Sequence, residues 1–206
     1  RDPRMLATLQ QAKRRGATIV SINPLDETGL RRFRNPQELS GYVTHGTRLA
    51  DLHLPVRVNG DVAALKGLSK ALLEAEGRRP GEILDHEFIA GCTAGFEAFR
   101  DDLERTSWSA IETGCGLSRD RIEAAARVAI ESDSVICCWA MGLTQHRNAV
   151  GNIQEICNFL FLRGNLGRPG AGACPVRGHS NVQGDRTMGI WEKPAPEFLA
   201  ALERRF

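Results

Sequence analysis

No C-x-x-C pair occurs in this sequence, although six cysteines do: Cys92, Cys115, Cys137, Cys138, Cys157 and Cys174. Zinc ribbons and most iron–sulfur sites need clustered thiolates, so neither is expected among these residues. Six cysteines in 206 residues are too sparse for a disulfide scaffold. They are expected to be reduced and buried, packing as small hydrophobes. No apolar run reaches the ~18 residues that span a bilayer. Excess charge of one sign is also lacking: 27 basic residues against 25 acidic ones leave a net charge of +2. Neither nucleic acid nor a membrane surface is therefore expected as a partner. The first residue is Arg1, and no charged stretch followed by an apolar core marks a signal peptide. The start reads as internal to a longer polypeptide, with a cytoplasmic location as the expectation. With 42% hydrophobic and 25% charged residues, what remains is an ordinary globular composition.

Common catalytic motifs fail when checked residue by residue. Gly178-His179-Ser180-Asn181-Val182 lacks the final glycine of a nucleophile elbow. Gly167 and Gly172 have P-loop spacing, but Ala173 stands where lysine is needed. Residues 170–175 are one glycine short of a dinucleotide fingerprint and follow a helical pattern rather than a strand. His86-Glu87 has no second histidine at zincin spacing. A self-contained hydrolase, kinase or zinc protease is not expected.

The periodicity alternates between helix and strand. Met5, Leu6, Leu9 and Ala12 repeat at helical spacing, and Arg15-Gly16 closes the pattern. A β-rich run over residues 17–22 follows and stops at Asn23-Pro24. Residues 29–48 read as loop. Residues 52–58 form a second expected strand, ended by the turn Asn59-Gly60-Asp61, where Asp61 is placed to cap the next helix. That helix carries Leu65, Leu68, Leu72 and Ala75 on one face. Short helices interrupted at Gly91, Gly95 and Ser107 fill residues 84–112, and Ser118 precedes a helix with an inward stripe of Ile122, Ala126 and Ala129. The apolar run 135–141 reads as a strand buried on both faces. Val150, Ile153, Cys157 and Leu160 mark another amphipathic helix, ending at Gly164-Asn165, and residues 195–206 a terminal one. Seven glycines between Gly164 and Gly189 make the intervening stretch read as loop. The expected architecture is α/β, a doubly wound, mostly parallel, Rossmann-like sheet lacking its first strand. Residues 1–165 form its cofactor-binding part, and residues 166–206 a Gly-rich loop and terminal segment.

In open α/β sheets, ligands bind beyond the carboxyl ends of the strands. Four candidate loops lie there. Asn23-Pro24 offers an amide that both donates and accepts, as a base or ribose requires, or else makes a plain Asx turn. Asp61 offers a carboxylate to two N–H groups of a guanine edge, or else only starts a helix. The run Trp139 to His146 contains Gly142, where a ligand can approach the backbone, and the hydrogen-bonding Thr144 and Gln145. The helix behind it favours a phosphate, while His146 has the alternative of facing solvent. Arg177-Gly178-His179-Ser180-Asn181 is mostly polar, and Arg177 has the planar fork that pairs with phosphate. Together these loops point to a phosphate-bearing, nucleotide-like ligand.

Residues 163–172 and 175–184, running from Arg163-Gly164-Asn165-Leu166-Gly167-Arg168 to Val182-Gln183-Gly184, closely resemble the molybdopterin-dependent oxidoreductases, in particular their formate dehydrogenase alpha-subunit-like branch. Trp139 through Gln145 and Ile22-Asn23-Pro24 occur there in the same order. The resemblance implies a domain that holds one guanine-dinucleotide arm of a bis-molybdopterin cofactor carrying molybdenum or tungsten. It places Asn23, Pro24 and Asp61 beside the guanosine, and Met141, Gly142, Thr144, Gln145 and His146 along the pterin and phosphates. It places Arg177, Gly178 and His179 near the metal centre, with Arg177 as the candidate catalytic residue through stabilisation of anionic charge. It implies no metal ligand in this chain. A 4Fe-4S cluster, the metal-ligating residue and a C-terminal capping domain would belong to the rest of the same subunit. The full enzyme would move two electrons between a small-molecule substrate and an acceptor. Two other readings stay open: a nucleotide-binding or regulatory domain without redox chemistry, and a subunit-assembly module.

Overall fold

The computed structural model describes residues 3–38, 46–176, 178, 181–189 and 193–205. Its centre is α3 (Asp61–Arg78), which buries Ala64, Leu65, Leu68, Ala71, Leu72 and Ala75. The Leu65/Leu68/Leu72/Ala75 stripe read from the sequence is thus the core face. Around it pack α6 (Trp108–Cys115), α7 (Arg119–Glu131) and α9 (Ala149–Phe161). Close approach depends on Gly67, where a β-carbon would lie 2.9 Å from Ile111 and 3.1 Å from Ile122. Two shorter helices, α4 (His86–Cys92) and α5 (Phe96–Arg105), connect α3 to α6. A polar cluster ties this side together: Trp108 Nε1 donates to Glu74 at 2.8 Å, and Arg119 bonds Glu74 and Glu123 while lying over the Trp108 ring.

The strands are parallel, as expected of an α/β chain, but among the described residues they form two separate pairs. β1 (Val20–Ile22) pairs with β2 (Leu52–Leu54), and β3 (Ile136–Trp139) pairs with β4 (Gly172–Pro175). α1 (Pro3–Arg14) precedes β1, with Gly16 in the left-handed region at φ +93°. The remaining elements are single turns or terminal pieces: α2 (Thr28–Arg31), α8 (Met141–Thr144), α10 (Val182–Thr187) and α11 (Pro196–Arg205).

Several local expectations are corrected. Residues 29–48, read as loop, contain the end of α2 and an antiparallel bridge between Phe33 and Thr47 that buries Phe33. The Gly-rich stretch supplies β4, because pairing with β3 compensates for its weak intrinsic strand preference. β3 is shorter than the apolar run and is covered on one face only. Cys137 and Trp139 pack on the core, while Ile136 is 55% exposed and Cys138 is exposed. Likewise Val150, placed on an inward stripe, is 72% exposed, because α9 turns Asn152, Ile156, Phe159 and Leu160 inward instead. All six cysteines are free, but only Cys115 is buried; Cys92, Cys138 and Cys174 are exposed and Cys137 and Cys157 half-buried. Burial pushes the Cys137 thiol up to about 12 and, with Cys174 opposite it, the Cys138 thiol to about 11, so neither is a ready thiolate.

Candidate functional site

The start of β3 is a packed joint. Arg163, just past α9, donates to the Ala129 and Ser132 carbonyls at the end of α7 and to the Ile83 carbonyl. Asn165 is buried, and its Oδ1 accepts from Val135 N at 3.0 Å and Arg168 Nη2 at 2.8 Å. Gly164 has φ +56° and sits so close to Asp85 that a β-carbon would lie 2.3 Å from its carboxylate oxygen. Nearby, Glu76 accepts from Gly81 N, Ile83 N and Leu84 N and meets His86 Nε2 at 2.7 Å. Burial would raise this carboxyl, but His86 and the three backbone N–H groups outweigh it and hold it at about 2. A cavity of about 520 Å³ opens here, lined by Asp85, His86, Asp133, Arg163 and Arg168. Residues 163–168, from which much of the family resemblance is read, therefore anchor β3. Sequence reasoning did not assign that role, because the partner carbonyls lie 31 or more residues away.

The end of β3 is built differently. The strand leaves at Trp139 and passes directly into α8, whose Met141, Gly142 and Thr144 are exposed, as is the following Gln145. Val176 N donates to the Trp139 carbonyl at 2.7 Å, which carries the chain after β4 alongside β3. Gly178 is thereby brought against Met141: a β-carbon there would lie 2.6 Å from Met141 Sδ. Arg177 and His179 lie outside the described residues.

His146 and Asp61, 85 positions apart in sequence, meet at this end. Asp61 Oδ2 lies 3.6 Å from His146 Nδ1, and both side chains are largely buried. Asp61 is the first residue of α3 rather than its cap; Gly60 holds the cap position. Gly60 cannot carry a side chain, since a β-carbon would meet Cys115 Cα at 2.8 Å. Burial raises the Asp61 carboxyl above its ordinary value, partly offset by His146. Asn152, fully buried on α9, donates to the Leu143 carbonyl at 2.9 Å and lies 3.2 Å from His146 Nδ1. Its own Oδ1 has no partner, and neither does the buried Oδ1 of Asn148. Buried polar atoms without partners are uncommon and need an explanation. Asn152 thus touches the imidazole that faces Asp61, and the Asp61 carboxyl is the group here that can accept from a ligand rich in N–H groups.

Asn23 stands at the end of β1, where its backbone N–H continues the ladder to Leu54. Its Oδ1 accepts from Leu25 N and its Nδ2 donates to Glu27, so the amide is engaged in an Asx turn. Pro24 is exposed beside it. No hydrogen bond among the described residues joins either one to Asp61 or His146. Among the described residues, no group of three or more His, Cys, Asp or Glu side chains can hold a metal ion. No described helix is long and apolar enough to cross a membrane.

No family model matches the chain. It is 48% identical over 204 residues to an uncharacterized oxidoreductase of Mycobacterium tuberculosis, matching 99% of this chain and 26% of that protein. It is 45% identical over 210 residues to Protein YdeP of Escherichia coli, matching 99% and 28%. Formate dehydrogenase H of Escherichia coli is 32% identical over 187 residues, 91% of this chain and 23% of that enzyme. The chain resembles a fragment of a formate dehydrogenase-like oxidoreductase. It spans about a quarter of the length of the curated relatives it matches. A solved structure of acetylene hydratase from Pelobacter acetylenicus shares the fold, with a TM-score of 0.61 at 20% identity over 77% of this chain and 19% of that one.

Proposed function

We propose that this formate dehydrogenase-like chain is the part of a molybdenum or tungsten oxidoreductase that binds one guanine-dinucleotide arm of a bis-molybdopterin cofactor. The reading is supported above all by the meeting of Asp61 and His146 past the carboxyl end of β3. A guanine edge presents N1–H and an N2 amino group, two donors that a carboxylate such as Asp61 can accept together. The residues present therefore fit the nucleotide end of the cofactor. When bound, the molybdopterin supplies the metal through which two electrons pass.

The chain's own contribution is to bind and orient. Asp61 accepts from the base, and its desolvated carboxyl gains most when a donor arrives. Met141, Gly142, Thr144 and Gln145 form an exposed turn whose hydroxyl and amide can meet pterin and phosphate oxygens. Gly178, held against Met141, brings that chain segment to the same end of the sheet. Arg177 and His179 flank it in sequence, and Arg177 stabilises anionic charge on the substrate in this reading. Asn23 and Pro24 border the ribose only after the Asx turn gives up one of its bonds. The 4Fe-4S cluster, the metal ligand and the substrate funnel belong to the rest of the subunit.

The test has two arms. Calorimetric titration of the chain with GDP should show saturable binding that Asp61→Ala abolishes. Elemental analysis of the full-length enzyme should find molybdenum or tungsten. GDP binding indifferent to Asp61, or a full-length enzyme free of both metals, would overturn the proposal.

A further inference from the structure

We infer that Asn152 is a positioning residue that sets which nitrogen of His146 carries the proton. The functional weight of this assignment rests on the cofactor reading above, but the proton's location does not. Asn152 is wholly buried on α9, and its Nδ2 lies 2.9 Å from the Leu143 carbonyl. A carbonyl oxygen only accepts, so the amide nitrogen must face it and the orientation of the side chain is fixed. That leaves the second N–H of the same group, and it meets His146 Nδ1 at 3.2 Å. A donor at Nδ1 requires a lone pair there, so the neutral ring carries its proton on Nε2.

Asp61 asks the opposite of the same atom. Its Oδ2 stands 3.6 Å from Nδ1 and would favour an N–H in that position. Two observations give the contest to Asn152. It is nearer, while 3.6 Å exceeds hydrogen-bond range. Its amide is anchored at Leu143, which fixes its reach. The outcome is a site with two distinct functions side by side: His146 supplies an Nε2–H donor, suited to a carbonyl or phosphate oxygen, and Asp61 remains free to accept from the ligand. Asn152 also spans the α8–α9 turn, binding it at Leu143 and at His146, so one buried side chain fixes both the shape of the turn and its proton.

Long-range nitrogen–proton NMR of the uniformly 15N-labelled chain reads this directly, without any ligand. The spectrum is followed to rising pH until the His146 signals no longer change, which defines the neutral ring. The His146 signals are identified by their loss in His146→Gln. The expected result is an unprotonated Nδ1 and a protonated Nε2. Asn152→Ala should abolish that preference, whereas Asp61→Asn should leave it in place. A protonated Nδ1 in the unsubstituted chain would overturn the assignment, and this holds even if Asn152→Ala fails to fold. An unchanged His146 pattern in a folded Asn152→Ala would overturn it as well. GDP affinity is a separate readout: Asn152→Ala should weaken it about fivefold, the equivalent of one net hydrogen bond of about 1 kcal/mol. An Nε2–H ring in a chain that binds no GDP would count against the cofactor reading alone.

Discussion

At the start of β3, Asn165, Arg163 and Glu76 find their partners within the chain, whereas at its end Asn148 and Asn152 each bury an oxygen with none. The two regions hold carboxylates of similar burial and opposite behaviour. Glu76 receives three backbone N–H groups and His86, and its carboxyl falls to about 2. At Asp61 burial outweighs the charge of His146 and the one backbone N–H, its own, and raises the carboxyl. The difference separates architecture from site. Where the protein supplies donors enough to a carboxylate, the group serves the fold; where burial outweighs them, as at Asp61, an outside donor gains most by binding.

The comparison breaks most visibly at Glu76. Glu76→Ala leaves three backbone donors without their acceptor and should cost about 3 kcal/mol, read as a lower urea midpoint. Because this carboxyl is depressed in the folded state, its contribution is complete above the ordinary value of 4.5 and is lost as the pH falls toward about 2. The variant should therefore lose part of the acid-side slope of stability against pH. An unaltered slope would mean that the Glu76 hydrogen bonds contribute little. Next in size, Asn165→Ala should cost about 2 kcal/mol, since it leaves the Val135 N–H without its acceptor and removes one of the bonds made by the Arg168 guanidinium.

The effect at Asp61 should have the opposite sign. A raised carboxyl contributes stability that is present below its unfolded value, near 3.8, and is lost as the pH rises through its higher folded value. At neutral pH it is a burden on the fold, so Asp61→Asn should leave the urea midpoint unchanged or raise it by less than about 1 kcal/mol. The same variant should weaken GDP binding by a factor of about ten or more, as loss of a charged hydrogen bond implies. A clear fall in stability would place Asp61 with Glu76 instead. Smallest of all, Gln145→Ala at its exposed position should change stability by no more than about 0.5 kcal/mol, so any loss of GDP affinity there reports contact with ligand.

How much of this was legible in the sequence varies by element. The α3 stripe of Leu65, Leu68, Leu72 and Ala75 was readable because helix periodicity is local and the core takes it whole. Val150 and Ile136 were not, because an apolar residue does not say whether a neighbour will cover it. β4 was hidden in a glycine-rich stretch, since strand formation there depends on β3 as a partner. At the site, Asp61 and His146 were each singled out at expected strand ends, but their pairing was not. Asn152 and Asn148 were missed entirely, because an asparagine within a helical pattern carries no signal of its role until its burial is known.

By itself the sequence determined the order of the longer helices and of β1 to β3, the glycines that turns demand, and the motif that carries the family likeness, all of which depend on neighbours a few residues apart. Only the tertiary structure decided that Arg163-Gly164-Asn165 is an anchor, that one face of β3 lies bare, and that a carboxyl, an imidazole and the Asn152 amide converge. Those outcomes depend on distances between groups 30 or more positions apart, and on burial, which turns a hydrogen bond that is nearly neutral in water into one that decides a protonation state.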